Sequence, residues 1–216
     1  MEYRYLFFDL DGTLTDPAEG ITNSVAFALE HFGIHVADRR ILFPYIGPPL
    51  TDAFTEFSGL TRGQASEAVG YFREYFVSKG IFENHPYVGI REVLGTLRDT
   101  GRTLVLATSK PEEFARQILT EFRLAEFFTY VCGATMDERR TKKGEVIAYA
   151  LDVSGNPNSE SVLMIGDRKQ DVLGARENGM DSMGVLYGYG SRSELEEAGA
   201  TYLCESVESL ARSILS

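Results

Sequence analysis

Six short apolar runs rich in β-branched or aromatic residues punctuate the chain: YLFFD (5–9), TLVLAT (103–108), TYVCG (129–133), VLMIGD (162–167), SMGVLYG (182–188) and TYLCE (201–205). Each is too short for a helix and almost continuously apolar, which predicts strands buried on both faces. Between them the spacing turns helical. A helix opening at Pro111, whose fixed φ suits a first turn, lines up Phe114, Ile118, Leu119 and Phe122. Another over Lys143 to Leu151 carries Val146, Ile147 and Ala150 as a stripe. A third runs from about Gln170 to Asn178, with Gly179 placed to cap it, and the last sets Val207, Leu210 and Ile214 in line. Strands alternating with helices predict an α/β fold: a doubly wound, Rossmann-like parallel sheet core covered on both faces.

Residues 16–85 break this rhythm. GITNSVAFALEHFG, ILFPYIGPPLTDAFTEF and TRGQASEAVGYFREYFVSKG all carry helical patterns, and none reads as a strand. The expectation is a catalytic core of residues 1–15 and 86–216, interrupted after its first strand by a small all-helical cap domain over residues 16–85. Pro17 and Pro86 bracket the insertion and would stiffen a two-strand linker, with the cap mobile relative to the core.

Composition narrows the function. A length of 216 residues with 44% hydrophobic and 25% charged residues is that of an ordinary globular protein. Such a chain buries roughly 70% of its unfolded surface, so it can fold without a metal or a disulfide. The formal charge of −11 is spread over both parts, since residues 16–85 hold 5 basic and 9 acidic groups. No basic lobe exists to attract nucleic acid. Cys132 and Cys204 sit in apolar stretches and read as buried free thiols. No apolar run approaches the length of a membrane span and no leader-like segment is visible, so a cytoplasmic protein with no membrane partner is expected.

Three strands end in polar residues of a particular kind. LFF runs into Asp9 and Asp11, LVLA into Thr108 and Ser109, and VLMIG into Asp167, with Asp171 four residues on. Ligands of open parallel sheets bind at the carboxyl ends of strands, so neighbouring strands would bring these groups together with Lys143 at a following helix start. Clustered carboxylates repel unless a cation compensates, and an all-oxygen set suits Mg²⁺. Taken singly, each element has a plainer reading. DLDGTLTD could be an Asp-Gly hairpin, Thr108 and Ser109 a helix cap, Lys143 a solvated lysine, and Asp171 an acid favoured by a helix start. His31 and His35 have helical metal-binding spacing, but Gly33 interrupts them and no third ligand is near, so a solvated helix end is preferred.

DLDGTLTD resembles the first motif of the haloacid dehalogenase superfamily, ATSKP its second, KKGEVI its third and GDRKQD its fourth, in that order over the whole core. The helical insertion after the first motif resembles the cap of phosphoglycolate phosphatases. The resemblance implies Asp9 as nucleophile and Asp11 as general acid and base. It implies Mg²⁺ held by Asp9, the main-chain carbonyl of Asp11 and Asp167, with Asp171 in support. Thr108, the Ser109 amide and Lys143 would bind the phosphoryl oxygens. Dehalogenases of the superfamily lack the second aspartate, so Asp11 favours phosphoryl chemistry. The implied activity is a phosphatase of small phosphorylated metabolites, with 2-phosphoglycolate the first substrate and nucleoside monophosphates, as for a 5′-nucleotidase, close behind. A sugar phosphomutase and a catalytically silent binding module are the alternatives, and a monomer or homodimer is expected. Selection of substrate falls to the cap, where FPYIGPPL (43–50) with Gly47, or Arg73, could meet a ligand.

Overall fold

Phe7, Val105 and Met164 lie side by side on three adjacent strands, and all three are fully buried. They belong to the central sheet of a computed structural model that describes residues 3–137 and 139–216. Its strands are β1 (Tyr5–Phe8), β4 (Thr103–Pro111), β5 (Tyr130–Ala134), β6 (Val162–Gly166), β7 (Asp181–Val185) and β8 (Tyr202–Cys204). They pair in the order β5-β4-β1-β6-β7-β8, and neighbouring strands all run parallel. Two short strands, β2 (Thr15–Asp16) and β3 (His85–Pro86), form a separate sheet.

The six apolar runs are these six strands, shifted by up to three residues at their ends, with β4 continuing past TLVLAT to Pro111. The last three residues of SMGVLYG instead form a turn beyond β7. Helices cover both faces, as continuous apolar runs require. On one face α6 (Lys143–Val153) and α7 (Lys169–Glu177) bury Val146, Ile147, Ala150 and Ala175 against Phe7, Val105 and Met164. Gly179, at φ +67°, closes α7 as a left-handed cap. On the sheet's other side α4 (Ile90–Asp99) packs with α9 (Val207–Leu215), whose Val207, Leu210 and Ile214 are all buried. The remaining core helices are α5 (Glu112–Glu121) and α8 (Arg192–Ala198). Two core helices stand outside those expected from the sequence: α8, and α4, although its Ile90, Val93, Leu94 and Leu97 recur at helical spacing and are all buried. Both cysteines are free and buried. No described helix is long and apolar enough to cross a membrane.

The chain divides into two compact units, residues 1–16 with 86–216, and residues 17–85. The second is all-helical: α1 (Ala18–Glu30), a 3₁₀ segment (Arg39–Tyr45), α2 (Leu50–Ser58) and α3 (Arg62–Tyr75), the last running into a π-helical turn (Phe76–Gly80). Thr61 and Gln64 cap α3 reciprocally, side chain to backbone. Val25, Leu29, Phe54, Ala68, Val69 and Phe72 are buried within it. In the first unit, the amide of Tyr87 donates to the carbonyl of Leu14 at 3.0 Å, so the backbone on either side of the insertion is joined.

Candidate active site

The chain leaves β1 and turns sharply. The carbonyl of Leu10 accepts from the amides of Thr13 (3.2 Å), Leu14 (2.8 Å) and Thr15 (3.1 Å), while Asp9 N donates to Ile165 O at 2.9 Å. Gly12 makes the turn possible: its φ is +82°, and a Cβ there would lie 2.2 Å from Asp167 Oδ2. The Asp-Gly hairpin is excluded, because β1 has parallel partners on both sides. Asp9 and Asp11 are thereby held, buried, at the carboxyl end of the central strand.

Asp167 follows β6 directly and is wholly buried. The Tyr189 amide donates to its Oδ2 at 2.7 Å, and the Thr13 hydroxyl lies 3.5 Å from its Oδ1. Asp171 stands in the first turn of α7, where its Oδ2 accepts from the Arg168 amide at 3.0 Å and so caps the helix. Gly166 lets it approach, since a Cβ there would fall 2.2 Å from Asp171 Cγ. Asp9, Asp167 and Asp171 each offer a carboxylate oxygen within 4.8 Å of the others. It is the one group among the described residues able to hold a metal, so the two histidines fall away. His31 stacks on Tyr71 and His35 pairs with Glu30.

Lys143, at the start of α6, lies 2.8 Å from Oδ1 of both Asp9 and Asp171 and donates to Ala107 O at 3.1 Å. Beyond this ammonium, neither Oδ1 has a hydrogen-bond partner among the described residues. Glu145 accepts from the amides of Thr141 and Lys142, fixing the turn that carries it. Asn178 ties α6 to α7 through the carbonyls of Gly144 and Gly174. Thr108 is buried at the end of regular β4 pairing, and Ser109 sits half-buried where the β4–β5 register shifts. All the residues singled out by the motifs thus gather on one edge of the sheet.

One residue was missed. Lys110 Nζ donates to Asp11 Oδ2 at 2.6 Å, and its amide donates to Thr108 Oγ1 at 3.2 Å. Its signal was a basic residue between a strand end and Pro111. The register irregularity that turns it back to the edge has no such mark in the sequence.

Four carboxylates therefore face two ammonium groups, a deficit that one divalent cation would remove. Burial pushes the Asp167 carboxyl well above the usual carboxylate range, and Asp171 and Asp9 push it further against the Tyr189 amide. Asp171 rises to about 6, because burial and the charge of Asp9 outweigh the pull of Lys143. Burial also raises Asp11, with Lys110 opposing it. For Lys143 burial acts downward, but Asp171 and Asp9 reverse it and hold the ammonium above its ordinary value. Crowded acids that hold protons abnormally, with oxygens lacking donors, form a site suited to a hard cation.

Residues 6–185 match the family model described as haloacid dehalogenase-like hydrolase. The chain belongs to the haloacid dehalogenase-like hydrolases. It is 45% identical over 210 residues to a 5′-nucleotidase of Pseudomonas aeruginosa, covering 97% of this chain and 95% of that protein. Tyrosine-protein kinase PtkA of Mycobacterium tuberculosis is 37% identical over 198 residues, 92% of this chain and 67% of the kinase. A phosphoglycolate phosphatase of Vibrio parahaemolyticus is 25% identical over 97% of this chain and 95% of its own. The crystal structure of a predicted phosphatase from Clostridium acetobutylicum superposes with a TM-score of 0.97 at 47% identity, covering 100% of this chain and 99% of that one. This haloacid dehalogenase-like hydrolase is a phosphatase, a hydrolase of phosphoric monoesters.

Proposed function

We propose that the chain is a Mg²⁺-dependent phosphatase of small phosphomonoesters working through an aspartyl phosphate on Asp9. The observation that carries this reading is the meeting of Asp9, Asp167 and Asp171 within 4.8 Å beside Lys143. Asp9, the Asp11 carbonyl and Asp167 would hold the ion, with Asp171 supporting directly or through water. When bound, Mg²⁺ supplies positive charge that lets an anionic nucleophile approach an anionic phosphate. A carboxylate oxygen of Asp9 forms a bond to phosphorus as the bond to the leaving oxygen breaks, and Asp11 gives that oxygen its proton. Asp11 then takes a proton from the water that attacks the aspartyl phosphate, releasing inorganic phosphate and restoring Asp9. Thr108, the Ser109 amide and Lys143 bind the phosphoryl oxygens, where charge develops.

The higher identity to the 5′-nucleotidase supports nucleoside 5′-monophosphates as substrates ahead of 2-phosphoglycolate. Phosphate release from a panel of both classes and of hexose phosphates, with Mg²⁺ and with chelator, tests the proposal. Release only with Mg²⁺ is expected. An isomerised sugar phosphate without net release would mean a phosphomutase, and no turnover of any kind a silent module. Asp9→Asn should keep the parent circular dichroism and lose at least about 10³-fold in kcat. Turnover retained in that variant rejects Asp9 as nucleophile.

A further inference from the structure

The two buried lysines of the site divide the carboxylates between them: Lys143 meets Asp9 and Asp171, whereas Lys110 meets Asp11. The Lys110–Asp11 pair leaves only 6% and 11% of its side chains exposed. Its hydrogen bond is made to Oδ2. Asp11 Oδ1 is buried as well and has no hydrogen-bond partner among the described residues. A buried carboxylate oxygen without a donor is costly, and native proteins leave few of them without a use. The backbone that carries Lys110 is itself held, through its amide on Thr108 Oγ1 and the register shift before Pro111.

We propose that Lys110 is a positioning residue for Asp11: its ammonium anchors Oδ2 and presents Oδ1 as the oxygen that exchanges a proton with the leaving group. This rests on the phosphatase mechanism proposed for the site. In the step concerned, the Asp9–phosphorus bond forms and the bond from phosphorus to the leaving oxygen breaks. The electron pair goes to that oxygen, and the proton on Asp11 Oδ1 follows it. Without its anchor the Asp11 carboxyl turns among orientations, most of which do not reach the leaving oxygen. The loss should then depend on how much the leaving group needs a proton. An alkoxide needs one, whereas p-nitrophenolate departs nearly as well without.

The test compares kcat/KM of the Mg²⁺-loaded enzyme on a nucleoside 5′-monophosphate, or whichever alkyl phosphate it turns over best, with that on p-nitrophenyl phosphate. Lys110→Met should lose about 10²-fold on the alkyl ester and less than about 5-fold on the aryl ester. Lys110→Arg should recover most of the alkyl activity. Asp11→Asn should show the same selective loss, and Lys110→Met with Asp11→Asn should be no worse than Asp11→Asn alone. Should Lys110→Met fail to fold, Lys110→Gln and the charge-neutral double variant carry the comparison. Equal losses on both esters, or losses that multiply in the double variant, overturn the role of Lys110. If Asp11→Asn keeps its alkyl activity, the acid assignment itself falls. If Asp11→Asn is selective and Lys110→Met is not, only the positioning role falls.

Discussion

Replacing Asp167 by asparagine should make the metal-free protein more stable while destroying its response to Mg²⁺. Asp167, Asp9 and Asp171 present oxygens within 4.8 Å of one another. At that distance and an effective dielectric of 20, each pair of charges repels by about 3.5 kcal/mol, and Asp167 takes part in two such pairs. Lys143 and local relaxation return most of this, leaving an expected net gain for the variant of about 1–3 kcal/mol at pH 8. The amide oxygen of asparagine can still accept from Tyr189 N, so no new orphan donor is made. For a chain of this size the gain corresponds to a Tm rise of about 3–9 °C. The pH dependence has a definite sign. Asp167 holds its proton more tightly when folded than when unfolded, so its share of stability is complete at low pH and is lost as pH climbs through the raised value. The variant's advantage should therefore vanish near pH 4 and grow towards pH 8. Mg²⁺ at a hundredfold excess over its Kd should stabilise the parent by about 2.7 kcal/mol and the variant hardly at all. Scanning calorimetry at pH 5 and pH 8, with chelator and with Mg²⁺, measures each quantity. A metal-free variant that melts below the parent at pH 8, or an equal Mg²⁺ shift in both, would refute the argument.

Lys143→Met removes the cation that lies between two buried carboxylates, and should cost about 3–5 kcal/mol in chelator, partly recovered by Mg²⁺, in urea titrations. Gly12→Ala forces a side chain into a left-handed backbone position against Asp167. It should cost about 1–3 kcal/mol and abolish the Mg²⁺-induced Tm shift, while circular dichroism keeps its parent shape. Ile147→Ala, which empties a fully buried site under the sheet, should lower stability by about 2–5 kcal/mol and leave KM within about twofold of the parent.

The fold was legible where burial leaves no choice. Strands covered on both faces must be apolar along their whole length, so TLVLAT and VLMIG announce themselves. The helix α8, seven residues long and mostly polar, carries too short a stripe to stand out. In SMGVLYG the apolar run outlasts the strand because Leu186 and Tyr187 enter a turn that continues through Tyr189. Tyr187 donates to Thr13 O at 3.0 Å, and Tyr189 hydrogen-bonds Asp16 through its hydroxyl and Asp167 through its amide. The same distinction runs through the site. Asp9, Asp167 and Asp171 follow strand ends at recognisable spacings, whereas the Tyr189 amide and Lys110 reach the pocket through a loop and a register shift. Backbone donors and irregular pairings leave no residue type to read.

The hydrogen bond from Tyr87 to Leu14 has a consequence for how such an enzyme can be altered. The chain departs at Asp16 and comes back at Pro86, and the flanking backbone is already stitched together inside the sheet-bearing unit. A segment whose two roots are neighbours can be exchanged for another of different length without dragging on the strands beneath. New surfaces can be grafted there as cassettes, while Asp9, Asp167 and Asp171 keep their places at the strand ends.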